Sequence, residues 1–100
     1  MSTSQAEITG ASALSVRVTD LDLSVDLSDG RTITVPVAWF PRVAMGTQSE
    51  RENWSLIGGG HGIHWADLDE DISVESLLTG QRSRESDSSL KKWIDRRGLR

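Results

Sequence analysis

The residues best suited to chemistry lie in one stretch, Trp54 to Leu78, WSLIGGGHGIHWADLDEDISVESLL. His61, His64, Asp67, Asp69 and Asp71 are its metal-ligand types. Asp67-x-Asp69-x-Asp71 resembles the start of a calcium loop. Ile72 stands where the sixth position needs Gly, however, and Leu78 where the twelfth needs Glu. Strand side chains three apart point to opposite faces, so the two histidines converge only if the intervening loop folds back. We therefore expect no metal. His64 should hydrogen-bond within a sheet, and the acids should form a solvated loop ahead of a helix cap. His64 with Asp67, Asp69, Glu70 or Asp71 would make a base and its orienter. No activated nucleophile accompanies them, because the chain has no Cys and no Gly-x-Ser-x-Gly elbow. Gly58-x-Gly60-x-Gly62 has Ile63 where a dinucleotide fingerprint needs its third Gly, and it lacks the Lys and the helix of a phosphate loop. Neither a cofactor nor an enzymatic activity is expected. The enzymatic alternative is a metal-dependent site at His64 and Asp67.

These residues need elements to hold them. Ser55–Ile57 and Ile63–Trp65 flank the glycines and read as a β-hairpin. Ser73 should cap a short helix over Val74 to Thr79, with Glu75 in its first turn and Gly80 after its end. Upstream, Leu14, Val16 and Val18 alternate with polar residues. Leu21, Leu23, Val25 and Leu27 do the same in another phase, so a turn or bulge belongs near Asp20. Asp29-Gly30 is a hairpin turn leading to Ile33, Val35 and Val37. Pro36 puts that third strand at an edge. Val43-Ala44-Met45 forms a turn or short helix. Thr47-Gln48-Ser49-Glu50 is a capping box opening another.

Formal net charge is -4, but it is unevenly spread. Residues 1–80 hold four Arg against twelve acids, and residues 81–100 hold seven Lys or Arg against three acids. An acidic body with a basic tail points to an acidic partner, to nucleic acid, or to the body itself. Asp87 or Ser88 should cap a helix to Arg97. Leu90, Trp93 and Ile94 share one of its faces, and Lys91, Lys92, Arg96 and Arg97 occupy the rest. Arg100 extends the charge. Such a helix is too short to be stable alone in water. It needs a surface, either a partner's groove or its own sheet. Trp39, Trp54 and Trp65 are expected to complete a core otherwise short of aromatics.

Trp39-Phe40-Pro41-Arg42, Asn53-Trp54, Leu56-Ile57-Gly58, Gly62-Ile63-His64-Trp65 and Asp67–Glu75 resemble a small bacterial family, domain of unknown function 2442. The resemblance runs from about Leu14 to Gly80, and Ser76 departs from the Gly that many members carry. It implies a small α+β domain without established activity. It also implies frequent encoding beside a second small protein, as in toxin–antitoxin pairs.

We expect an α+β fold with a three-stranded antiparallel meander, short helices, a β-hairpin and a C-terminal helix. Residues 1–12 form a flexible N-terminus, 13–80 the domain, and 81–100 a linker and basic amphipathic helix. The function expected is a cytoplasmic, non-enzymatic protein-interaction module, antitoxin-like, with another small protein as partner. Leu90, Trp93 and Ile94 would supply its apolar contacts, and Lys91, Lys92, Arg96 and Arg97 its charges. His61, His64, Asp67 and Asp69 form a second candidate surface. The alternative is a DNA-binding regulator using the tail. A homo-oligomer is compatible with either reading. No membrane segment is expected, because no apolar run approaches the roughly 20 residues a span requires.

Overall fold

The computed structural model describes residues 10–98, and alternation builds its first sheet. Strands β1 (Ala13–Val18), β2 (Asp22–Leu27) and β3 (Thr32–Pro36) pair antiparallel in chain order. Leu23, Val25 and Leu27 of β2 are buried, and Asp22, Ser24 and Asp26 lie on the wetter face. Gly30 makes the expected turn at φ +94°, which Gly adopts without steric cost. The change of phase near Asp20 is also a turn, and it leaves Leu21 78% exposed. A second register shift, between Ala13 and Ser15, is invisible in the alternation. It buries Ala13 and leaves Leu14 60% exposed, because side-chain parity holds only while register is unbroken.

Pro36 ends β3, and a 3-10 turn over Val37–Trp39 follows. Helix α1 (Pro41–Ala44) opens on Pro, where a missing N–H costs nothing. Thr47 caps α2 (Gln48–Glu52) as a capping box. The Glu50 amide donates to Thr47 Oγ1 (3.1 Å), and the Thr47 amide donates to Glu50 Oε1 (2.9 Å).

The second sheet comprises β4 (Trp54–Ile57), β5 (Gly62–Trp65) and β6 (Glu70–Ser73), again antiparallel in chain order. The hairpin expected around the glycines is β4–β5. Strand β6 corrects the expectation of a solvated acidic loop. Ile72 pairs with Ile63, Asp71 with His64 and Glu70 with Trp65. Asp69 makes the entry to β6 by taking φ +52°, a left-handed conformation that a short polar side chain tolerates.

The glycine loop serves packing. Gly60 is buried at φ +90°, and a Cβ there would lie 3.0 Å from the Ala13 carbonyl and 3.0 Å from Ser12 Cβ. Gly60→Ala should therefore cost about 1–3 kcal/mol through backbone strain and crowding. Gly59→Ala, whose Cβ would meet open space, should cost less. Urea unfolding of both variants checks this difference.

Helix α3 (Val74–Leu78) is capped by Ser73, whose hydroxyl accepts the Ser76 amide at 3.1 Å. Helix α4 (Asp87–Arg97) is capped one residue earlier than expected, by Ser86, and ends on left-handed Gly98. One core joins both sheets and the helices. It includes Leu23, Val25, Phe40, Val43, Ile63, Trp65, Leu68, Val74, Leu77 and Trp93. Ala11 is buried too, and Ser12 and Ser28 exchange hydrogen bonds at 3.0 and 2.8 Å. The packed body thus begins before residue 13. The expected flexibility of residues 1–9 and the role of Arg100 lie outside the described residues. No helix among the described residues is long and apolar enough to cross a membrane.

Candidate functional site: a cleft between the second sheet and the tail

The tail lies on its own domain. Trp93 is 3% exposed, and Leu90 and Ile94 are partly buried against the same core. Two guanidinium groups stack on the indole, Arg42 at 5.2 Å and Arg97 at 4.7 Å from the ring centroid. Each also holds a carboxylate. Arg42 Nε donates to Glu85 Oε1 at 2.9 Å, and Arg97 Nη2 to Glu50 Oε1 at 2.7 Å. Arg97 Nη1 reaches the Asp67 carbonyl at 3.1 Å, and Arg42 Nη1 the Asp69 carbonyl at 3.0 Å. Trp93 thus faces its own domain and not a partner, with Leu90, Ile94 and Arg97 half-buried beside it. Lys91, Lys92 and Arg96 stay exposed on the outer side of α4.

The presumed linker is likewise anchored. The Ser83 amide donates to the Trp39 carbonyl (3.0 Å), and Arg82 lies 4.8 Å over the Trp39 ring. Between this segment and β6 runs a cleft of about 740 Å³. Every residue of β6 lines it, and Gln81–Glu85 and Ser89 form the opposite wall. Phe40, Arg42, Ile57, Gly62, Asp69 and Ser76 complete it.

Among the described residues, strand β6 has a strand neighbour on one side only. The Val74 amide donates to the His61 carbonyl at 2.9 Å. By antiparallel alternation, the amides of Asp71 and Ser73 then point away from β5. The Asp71 amide is taken by Glu70 Oε1 at 3.1 Å. Burial pushes the Glu70 carboxyl above its ordinary value.

The second candidate surface divides among separate tasks. His64 Nδ1 pairs with Asp71 Oδ1 across the strands, the bond within the sheet that was expected. His61 is exposed on the β4–β5 turn. Asp67 Oδ2 accepts from Asn53 Nδ2 at 2.9 Å, and the Asp69 carbonyl serves Arg42. Among the described residues no three His, Asp or Glu side chains group to hold a metal ion.

Sequence reasoning missed the roles of Arg42 and Glu85, and it read Glu50 only as part of a helix cap and Glu70 only as a candidate base beside His64. Arg42 and Glu85 are 43 positions apart, and Arg97 and Glu50 are 47 apart, so no local pattern announces either pair. Arg51 is also buried. Its Nε donates to the Val43 carbonyl (3.0 Å), and its own carbonyl accepts from Trp65 Nε1 (3.0 Å).

The Arg42 and Arg97 hydrogen bonds hold Glu85 and Glu50, respectively, below the ordinary carboxyl value. The unfolded chain binds those protons first on acidification. The stability is therefore complete above the ordinary value and lost as pH falls through the lowered ones. Glu70, whose value is raised, takes its proton ahead of the unfolded chain, so urea midpoints should hold or rise slightly as pH falls from 7 to about 5 and then drop as Glu50 and Glu85 lose their pairs. Glu85→Gln should start lower at pH 7 and fall less steeply.

A family model described as protein of unknown function (DUF2442) matches residues 13–83. A crystal structure of a protein of unknown function from Rhodospirillum rubrum is similar, with 25% identity and a TM-score of 0.65, over 75% of this chain and 93% of that one. A solution NMR structure of an uncharacterized protein from Chromobacterium violaceum shares the fold. It is 21% identical with a TM-score of 0.62, over 88% of this chain and 77% of that one. No curated protein matches. With both sheets and α3 inside the matched residues and α4 beyond them, the chain belongs to the family of proteins of unknown function DUF2442.

Proposed function

We propose that the protein is a non-enzymatic protein-interaction module, the antitoxin-like member of a bacterial pair, and that it receives its small protein partner in the cleft beside β6. The observation that carries this reading is one wall of the cleft, an edge strand whose strand neighbour among the described residues is β5 alone. Edge strands offer a row of backbone groups to another chain, and strand addition is a common way of using them. The tail contributes by forming the opposite wall. Co-purification with the product of the neighbouring gene tests the reading. The wild-type chain should hold that product and relieve any growth arrest it causes. Asp71→Lys with Arg84→Glu, both at exposed positions, should lose it while the chain stays folded, the melting temperature falling only by the small worth of the exposed His64–Asp71 pair. Equal yields from the two would exclude the cleft.

DNA binding remains a second reading because Lys91, Lys92 and Arg96 are exposed. It is weakened because Arg97 is committed to Glu50. Retention on duplex DNA that vanishes in Lys91→Glu, Lys92→Glu would favour it.

A further inference from the structure

Resting on that reading of the cleft, we propose that the partner delivers an extended segment that pairs with β6 as a fourth strand of the second sheet. The segment sets a Lys or Arg beside Asp71 and an apolar residue beside Ile72. Residues of both faces of β6, Glu70 and Ile72 on one and Asp71 and Ser73 on the other, line the cleft. Strand β6 ends its sheet, with β5 on one side, so its other backbone edge is the one open to an added strand. The outward amides of Asp71 and Ser73 recur two residues apart, the spacing an added strand uses. Glu70 covers the first with a local bond that an incoming carbonyl would replace.

Charge selects the occupant. Asp69, Glu70 and Asp71 line the β6 side. Of the cleft's arginines, Arg42 is bound to Glu85 and Arg82 lies over Trp39. Arg84 on the far wall opposes a uniformly basic segment, so one cation at an alternate position fits best. Acidic residues on an edge also keep other strands away. Asp71 gives Oδ1 to His64, yet its side chain stays 65% exposed, so a segment with a cation there can still meet it, which makes the guard a source of specificity.

The test is an NMR titration of the full-length chain with an acetylated peptide alternating lysine and valine. Two controls are the same peptide with glutamate for lysine and a backbone N-methylated copy. Saturable shifts should fall on the amides of Asp71 to Ser73 and Gln81 to Glu85. Both controls should bind at least tenfold more weakly, and Asp71→Lys should reverse the preference between lysine and glutamate. Shifts absent from β6, or equal binding of the N-methylated copy, would overturn strand pairing. If the natural partner still co-purifies in that event, the module reading stands without it. If the partner too is lost, both fall.

Discussion

Trp93→Ala should lower stability by about 3–5 kcal/mol, the usual cost of removing a large aromatic from a core, and shift Tm by at least roughly 12 °C in a chain of this size. The indole is nearly fully buried and lies under two guanidinium groups. Its removal leaves a cavity and two cations with nothing to stack on, each contact worth about 0.5–2 kcal/mol. Trp93→Phe should recover part of the loss, because a smaller ring still fills the site and still faces the cations. An arm held out to solvent would give the opposite result, with both variants melting like wild type. Differential scanning calorimetry separates the two outcomes. The same substitution should weaken partner binding, because α4 helps hold Glu85, through Ser89 and the Arg42 that stacks on Trp93, at one end of the second wall of the cleft.

Arg42→Met should be the next most damaging change. Methionine keeps most of the apolar stem and deletes the head. The side chains of Arg42 and Glu85 are only 12% and 13% exposed, so the substitution strands a carboxylate in a poorly hydrated place. Breaking a buried pair costs about 3–5 kcal/mol. Residual access to water reduces that here to roughly 2–3 kcal/mol. The Asp69 carbonyl loses its donor as well, which loosens the left-handed turn into β6. Adding Glu85→Gln to Arg42→Met should regain part of the loss, since the stranded charge is then gone. Urea unfolding of the two single variants and the double measures this coupling.

The first sheet was legible because its faces differ in polarity. Leu23, Val25 and Leu27 alternate with Asp and Ser, and Asp29-Gly30 can do little but turn. Caps were legible for the same local reason. Thr47 and Glu50 satisfy one another across three residues, and Ser73 precedes an apolar turn. Strand β6 was not legible. It holds one core residue, Ile72, among acids, and a period of two cannot be read from a single apolar position. Its strand character comes from pairing with β5, a tertiary effect that overrides composition. The exposure of Leu14 was hidden because a register shift leaves no mark in composition. For the tail, the i, i+3, i+4 spacing of Leu90, Trp93 and Ile94 gave the helix and its apolar face correctly. What that face rests on depends on Arg42, Glu50 and Glu85, which lie on other elements. The cleft is a product of that docking, so its walls could be found only after the tail was placed.

The protein's role turns on whether the open edge of β6 is where the partner attaches. Residue-resolved amide hydrogen exchange of the partner-bound chain addresses this directly. The account predicts that the Asp71 and Ser73 amides, which point away from β5, slow markedly in the complex, while the amides of Lys91 and Lys92 keep their free-chain rates. Unchanged exchange at Asp71 and Ser73 together with new protection along the outer face of α4 would contradict it.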